Sequence, residues 1–127
     1  MTQVATQILL VEDDPAISKL IVQFLKGDGA EVIASSNPER ARQILSERTD
    51  FDLVIVDFLL GEVTAVALMD ELRIILRDVP VVIISGGNPM TDLETTQAIA
   101  DLSGAVAFLQ KPFRKAELLD AVATSLK

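Results

Sequence analysis

Polar side chains that can do chemistry follow four separate apolar runs in this sequence. The runs are Gln7–Val11, Asp52–Val56, Pro80–Ile84 and Ala105–Leu109, and the polar residues after them are Glu12 with Asp13, Asp57, Ser85 and Lys111. Three carboxylates in one site would repel one another and call for a cation. The chain has no His and no Cys, which leaves oxygen ligands and favours a hard ion, with Mg²⁺ the first choice. An Asp carboxylate beside Mg²⁺ and a Lys can attack phosphorus, because both cations offset the charge of a transferring phosphoryl group.

Each of these residues also has an ordinary structural interpretation. An Asp after a strand often caps the next helix, and we assign that role to Asp14, which precedes Pro15. Taken alone, Asp57 could be a solvated strand terminus, Ser85 a turn residue and Lys111 a surface charge. The functional interpretation rests on convergence, because ligands of open parallel sheets bind at the carboxyl ends of the strands.

The apolar runs alternate with segments of helical periodicity, which indicates an α/β fold. Besides the four strands above, Glu31–Ala34 is predicted to form a short strand, the second along the chain. Five helices are predicted: Pro15 to about Gly27, Pro38 onward, about Thr64 to Arg77, Thr91 to about Leu102 with Gly104 as its C-cap, and Arg114 to Leu126. This alternation implies a five-stranded parallel sheet that is covered by helices on both faces.

The composition limits the classes of protein to which this chain can belong. The chain has 127 residues, half of them hydrophobic, and a net charge of −8. We expect one domain over residues 1–127, with its core at about 7–126. The negative net charge argues against direct nucleic-acid binding by this chain. No signal peptide or membrane-spanning segment is predicted, so we expect a cytoplasmic protein.

Four stretches in order give the sequence a specific resemblance. They are Ile8–Pro15 (ILLVEDDP), Asp52–Asp57 (DLVIVD), Val81–Gly86 (VVIISG) and Gly104–Phe113 (GAVAFLQKPF). The chain resembles the response-regulator receiver domains of two-component signal transduction, from about Gln7 to Leu126. The resemblance implies a doubly wound, flavodoxin-like (βα)5 fold with strand order 2-1-3-4-5.

The resemblance also implies roles for individual residues. Glu12 and Asp13 would be the acidic pair that holds Mg²⁺, with Asp13 the more direct ligand, and the backbone carbonyl of Leu59 would complete the site with Asp57. Asp57 would be the phosphoacceptor, Ser85 would hydrogen-bond the phosphoryl group and Lys111 would pair with it. Phe108 lies at the position of the family's aromatic switch, and Lys111-Pro112 at that of its cis peptide bond.

The implied partners are a histidine kinase or His-phosphotransfer domain as donor, and an output protein that the sequence does not identify. Phosphorylation would change the face formed by the fourth helix, the fifth strand and the last helix. The sequence leaves open whether the chain forms a homodimer through that face. The chain would not be an enzyme for a separate substrate, because it would catalyse only its own phosphorylation and dephosphorylation.

Three departures from the family pattern concern loops. Gly61 stands where a Pro is usual, Ala65 stands where a Gly is usual, and the span from Ser85 to Lys111 is a few residues longer than usual. None of them removes a chemical group. They put the shape of the loops after the third and fourth strands, and the partner surface, in question.

Three alternatives were compared with the phosphoacceptor interpretation. A haloacid-dehalogenase-type phosphatase needs a second Asp two residues after its nucleophile, where this chain has Leu59. A flavodoxin-like cofactor binder needs a phosphate-binding loop after the first strand, and none is present. The remaining alternative is a receiver-shaped interaction module that signals without phosphorylation. Such a module would not need the acceptor residues, and all of them are present in this chain.

Overall fold

Five parallel strands form the main sheet of the computed structural model. The structure describes residues 5–60, 63–64, 66–86 and 107–126. The strands are β1 (Gln7–Val11), β2 (Glu31–Ser35), β3 (Leu53–Asp57), β4 (Val81–Ser85) and β5 (Ala107–Gln110). Their order across the sheet is β2-β1-β3-β4-β5, and every neighbouring pair is parallel. The predicted fold class and strand order are confirmed.

Helices α1 (Pro15–Gly27), α2 (Pro38–Glu47) and α3 (Val66–Ile75) connect the strands, and a C-terminal helix (Lys115–Ser125) follows β5. Two helix starts agree with the predicted caps. The Asp14 carboxylate accepts hydrogen bonds from the Ala16 and Ile17 amides at 2.9 and 3.2 Å. The Asn37 side chain accepts one from the Arg40 amide at 2.8 Å. These side chains satisfy amides that a helix N-terminus leaves without partners.

Alternate residues of the strands point to opposite faces of the sheet, so the core has two halves. One half packs Leu9, Val54 and Ile83 under α2 and α3, and the other packs Leu10, Ile55 and Ile84 under α1 and the C-terminal helix. Both sheet faces are therefore covered, which explains why the strands are continuous apolar runs.

Some predicted boundaries were wrong. Thr64 is not the first residue of α3: it pairs with Leu59 in a short antiparallel hairpin, Leu59–Leu60 with Val63–Thr64. The β-branched Val63 and Thr64 favour extended structure, and α3 begins at Val66 and ends at Ile75 rather than Arg77. The second to fifth strands each end one residue later than predicted, and the third and fourth also begin one residue later. The last helix is shorter by one residue at each end.

Several predictions fall on residues that the structure does not describe. The fourth predicted helix and its cap at Gly104 lie outside the described residues, as do Gly61, Ala65 and Gly87. Part of the fifth predicted strand, Ala105 and Val106, also lies outside them.

Candidate functional site

The three carboxylates lie together because β1 and β3 are neighbours in the sheet. Glu12 and Asp13 follow the last residue of β1, and Asp57 is the last residue of β3. One carboxylate oxygen from each of the three lies within 4.8 Å of the others. The sequence-based prediction that these groups converge is confirmed for this acidic cluster of Glu12, Asp13 and Asp57.

Lys111 reaches the acidic cluster from the loop after β5. Its Nζ donates a hydrogen bond to Asp57 Oδ2 at 3.2 Å and lies 2.6 Å from Glu12 Oε1. The Lys111 amide donates to the Ser85 carbonyl at 2.7 Å, which fixes the start of this loop against the end of β4. The predicted cis peptide bond between Lys111 and Pro112 is present.

Burial makes the charges of the site interact strongly. Glu12 is 1% exposed and Asp57 is 5% exposed. Burial, followed by the hydrogen bond and negative charge of Glu12, raises the pKa of Asp57 from 3.8 to about 7, although Lys111 acts to lower it. Burial acts to lower the pKa of Lys111, but Glu12 and Asp57 outweigh it, so that pKa is raised. Lys111 therefore stays an ammonium ion at neutral pH.

The donor set fits a hard divalent cation. All three groups of the acidic cluster offer oxygen atoms, the ligands that Mg²⁺ prefers. Glu12 Oε1 is buried and accepts no hydrogen bond of good geometry, although it is in ionic contact with Lys111. A buried oxygen of this kind, next to a second carboxylate that resists ionisation, is an environment that a bound cation would stabilise.

The remaining predicted site residues lie at or near the same edge. Ser85 ends β4 and is 2% exposed. Phe108 is half-buried, pairs in register with Ile83 and packs on the core half under α2 and α3. Leu59 begins the short hairpin two residues after Asp57. Metal ligation by the Leu59 carbonyl and rotation of Phe108 stay predictions.

Sequence reasoning missed two features of the site. The first is the hairpin after Asp57, whose strands of two residues are too short to leave a periodic pattern. The second is the contact between Lys111 and Glu12, which is shorter than the contact between Lys111 and Asp57. The sequence shows that both residues follow strands, but β3 and β4 lie between β1 and β5. In the sequence, only the length of the Lys side chain indicates that Lys111 could contact Glu12 across this distance.

Two members of the acidic cluster, Glu12 and Asp13, also line a surface groove between the starts of α1 and α2. The groove has a volume of about 830 Å³ and includes Glu12, Asp13, Lys19 and Arg40 in its lining. Its charges are mixed, and the side chains of Asp14 and Asn37 already occupy amides at the two helix N-termini. Within the acidic cluster, Asp13 is the exposed member, whereas Glu12 and Asp57 are buried.

Within the part of the chain that is described, no helix combines the length and the apolar character that crossing a lipid bilayer requires.

The chain is similar to known proteins in sequence. The family model described as "Response regulator receiver domain" matches residues 8–123. The regulatory protein VirG of Agrobacterium tumefaciens is 33% identical over 121 residues, which is 94% of this chain and 43% of VirG. The cell cycle transcriptional regulator CtrA of Caulobacter vibrioides is 29% identical over 89% of this chain and 47% of CtrA. The chain thus spans less than half the length of these two relatives.

Solved structures show the same fold. A CheY-like receiver domain protein from Methanospirillum hungatei superposes with a TM-score of 0.85 at 23% identity, covering 97% of this chain and 94% of that one. NtrX from Brucella abortus also gives 0.85, at 29% identity, with 97% of this chain matched to 27% of NtrX. Family model, relatives and fold agree, and the chain belongs to the response regulator receiver domain family.

Proposed function

We propose that Asp57 accepts a phosphoryl group from the phosphohistidine of a histidine kinase or a His-phosphotransfer domain. The observation that best supports this is the position of its carboxylate, which ends β3, contacts Lys111 at 3.2 Å and belongs to the acidic cluster. A carboxylate held in this way has a positive group in place to offset charge on a phosphoryl group that enters the site.

In the proposed step, one carboxylate oxygen of Asp57 forms a bond to phosphorus as the P–N bond of the donor breaks. The electron pair of that bond leaves with the imidazole nitrogen, which takes up a proton from solvent. The product is an acyl phosphate on Asp57 and a free histidine on the donor. Asp57 must be ionised to attack, and its pKa of about 7 in the metal-free protein leaves part of the carboxyl group protonated at neutral pH.

The acidic cluster would hold Mg²⁺, with the Leu59 carbonyl as a further ligand. A bound Mg²⁺ supplies positive charge that favours the ionised form of Asp57 and offsets charge on the phosphoryl oxygens. Lys111 would pair with the phosphoryl group, since its ammonium group already lies beside the Asp57 carboxylate. Ser85, which is buried at the end of β4, would donate a hydrogen bond from its hydroxyl to the phosphoryl group.

The output of the switch would be a rearrangement next to β5. If Ser85 moves toward the phosphoryl group, the space it leaves admits the ring of Phe108, which is half-buried at the edge of the core. The partner surface would then change around β5 and the C-terminal helix, as a two-state element biased by a change of charge. On this proposal the chain turns over no separate substrate and acts in the cytoplasm on an output partner.

Incubation with acetyl phosphate and Mg²⁺ tests the proposal, with intact-mass measurement as the readout. The parent should gain one phosphoryl group, and Asp57→Asn and a parent sample with EDTA should gain none. Equal labelling of Asp57→Asn would exclude Asp57 as the acceptor. A parent that binds Mg²⁺ but is never labelled, by acetyl phosphate or by a kinase, would favour a module that signals without phosphorylation.

A further inference from the structure

Two large hydrophobic residues lie next to each other on the exposed side of α3. Ile74 is 78% exposed and Ile75 is 44% exposed, and they are two of the four large hydrophobic residues that are exposed in the described part of the chain. Ile is β-branched and has a lower helix propensity than Ala, Leu or Lys, so helix formation does not account for an Ile at an exposed position. Exposed apolar residues that adjoin one another, unlike scattered ones, indicate a contact surface.

Opposite charges lie on either side of Ile74 along α3. Asp70 precedes it by four residues and Arg77 follows it by three, which is the spacing of neighbours on one helix face. The helical path continues beyond Ile74, because the Leu76 amide donates to the Leu72 carbonyl at 2.7 Å. Asp70, Ile74 and Arg77 are all exposed. These three residues form a stripe, called here the α3 stripe, with an acidic end, an apolar centre and a basic end.

Neither charge of the α3 stripe has a strong partner within the chain. Asp70 contacts Arg73 at 3.4 Å, but both side chains are more than half exposed, and such pairs contribute little to stability. Arg77 forms no ion pair with any residue that the structure describes. By contrast, Glu71 at the flank of the stripe contacts Arg42 of α2 at 2.6 Å. Both ends of the stripe can therefore pair with charged groups of another molecule.

We propose that the α3 stripe packs antiparallel against the same stripe of a second copy of this chain. A two-fold axis that crosses the stripe between Arg73 and Ile74 places Asp70 of each copy opposite Arg77 of the other and brings the two Ile74 side chains together. The stripe is thus complementary to itself in both charge and apolar character. One helix pair buries less area than a standard interface, so the dissociation constant of the dimer should be on the order of 0.1 mM.

Reversing the charges at the two ends of the stripe tests this arrangement. Sedimentation equilibrium with interference optics is the assay, because the chain has no Trp or Tyr to absorb light, and the parent should associate between about 10 μM and about 1 mM. Asp70→Arg and Arg77→Asp should each raise the dissociation constant at least about tenfold, since like charges then face each other twice. An equimolar mixture of the two variants should associate at least as strongly as the parent, because both contacts again join opposite charges. A mixture that associates no more strongly than its components, or a parent that is monomeric at about 1 mM, would overturn the inference.

Two controls separate the α3 stripe from the net charge of the chain. Asp120→Arg and Lys26→Asp make the same changes of charge at exposed positions outside α3. Each alone and their mixture should stay within about threefold of the parent, and a gain on mixing as large as that of the α3 variants would overturn the inference. Ile74→Ser removes the apolar centre without a change of charge and should weaken association at least about tenfold, with an unchanged Tm because Ile74 is exposed. Association of Ile74→Ser at the strength of the parent would also overturn the inference.

Discussion

Replacing Asp57 by Asn should stabilise the metal-free protein at alkaline pH, although it removes an ion pair. The Asp57 carboxylate is 5% exposed and lies in the acidic cluster with Glu12. Asn has nearly the same shape as the protonated form of Asp and carries no charge. The substitution therefore removes the repulsion and the burial penalty of the ionised group, and Lys111 keeps Glu12 as its partner.

The size of the stability gain expected for Asp57→Asn follows from the pKa of Asp57. Burial and Glu12 raise it from 3.8 to about 7 despite Lys111, so the folded protein binds this proton more tightly than the unfolded chain. The contribution of Asp57 to stability must then be highest at low pH and fall as the pH rises from about 4 to about 7. The full difference corresponds to about 4 kcal/mol. Because the site relaxes around the ionised group, we expect Asp57→Asn to gain about 2 kcal/mol at about pH 8.

Urea denaturation in EDTA, followed by circular dichroism, measures this effect. Asp57→Asn should be more stable than the parent at about pH 8, and the two should converge at about pH 4. Asp120→Asn is the matched control, because Asp120 is exposed on the C-terminal helix, and it should match the parent at both pH values. If Asp57→Asn is no more stable than the parent at alkaline pH, then Lys111 stabilises the ionised carboxylate more than burial and Glu12 destabilise it, and the reasoning is refuted.

Three further predictions concern the metal, a helix cap and the switch. Millimolar Mg²⁺ should raise the Tm of the parent in scanning calorimetry, less so below about pH 6 where protons compete for Asp57. Asp13→Asn should remove most of the rise, and a parent that does not respond at neutral pH would contradict an acidic metal site. Asp14→Ala should lower the free energy of unfolding by about 1 kcal/mol through loss of the α1 cap. An unchanged urea midpoint would show that hydrogen bonds from water replace the cap at the Ala16 and Ile17 amides. Adding Mg²⁺ and beryllofluoride, a phosphoryl mimic, should shift the NMR signals of Phe108. Shifts confined to the surroundings of Asp57 would exclude the switch but not the acceptor chemistry.

The fold was predictable because its signals are local and regular. Continuous apolar runs such as Val81–Ile84 mark strands that are covered on both sides, and cap residues such as Asp14 and Asn37 mark helix starts. The convergence of the acidic cluster followed from the topology, since β1 and β3 are adjacent.

What the sequence could not predict depends on side-chain geometry and on very short elements. The hairpin of Leu59–Leu60 with Val63–Thr64 has strands of two residues, too few for a period to be read. The preference of Lys111 for Glu12 over Asp57 depends on distances of a few tenths of an ångström within the loops. The raised pKa of Asp57 likewise depends on burial and on the orientation of Glu12.

Chemical mapping of the phosphorylated residue in the unmodified chain tests the central claim most directly. After transfer from a phosphorylated kinase domain in Mg²⁺, borohydride reduces an aspartyl phosphate to homoserine, which peptide mass spectrometry locates. The account predicts homoserine at position 57 and at no other Asp, and no reduced Glu. A stable phosphate on a Ser or Thr, or homoserine at position 13 with Asp57 intact, would contradict it.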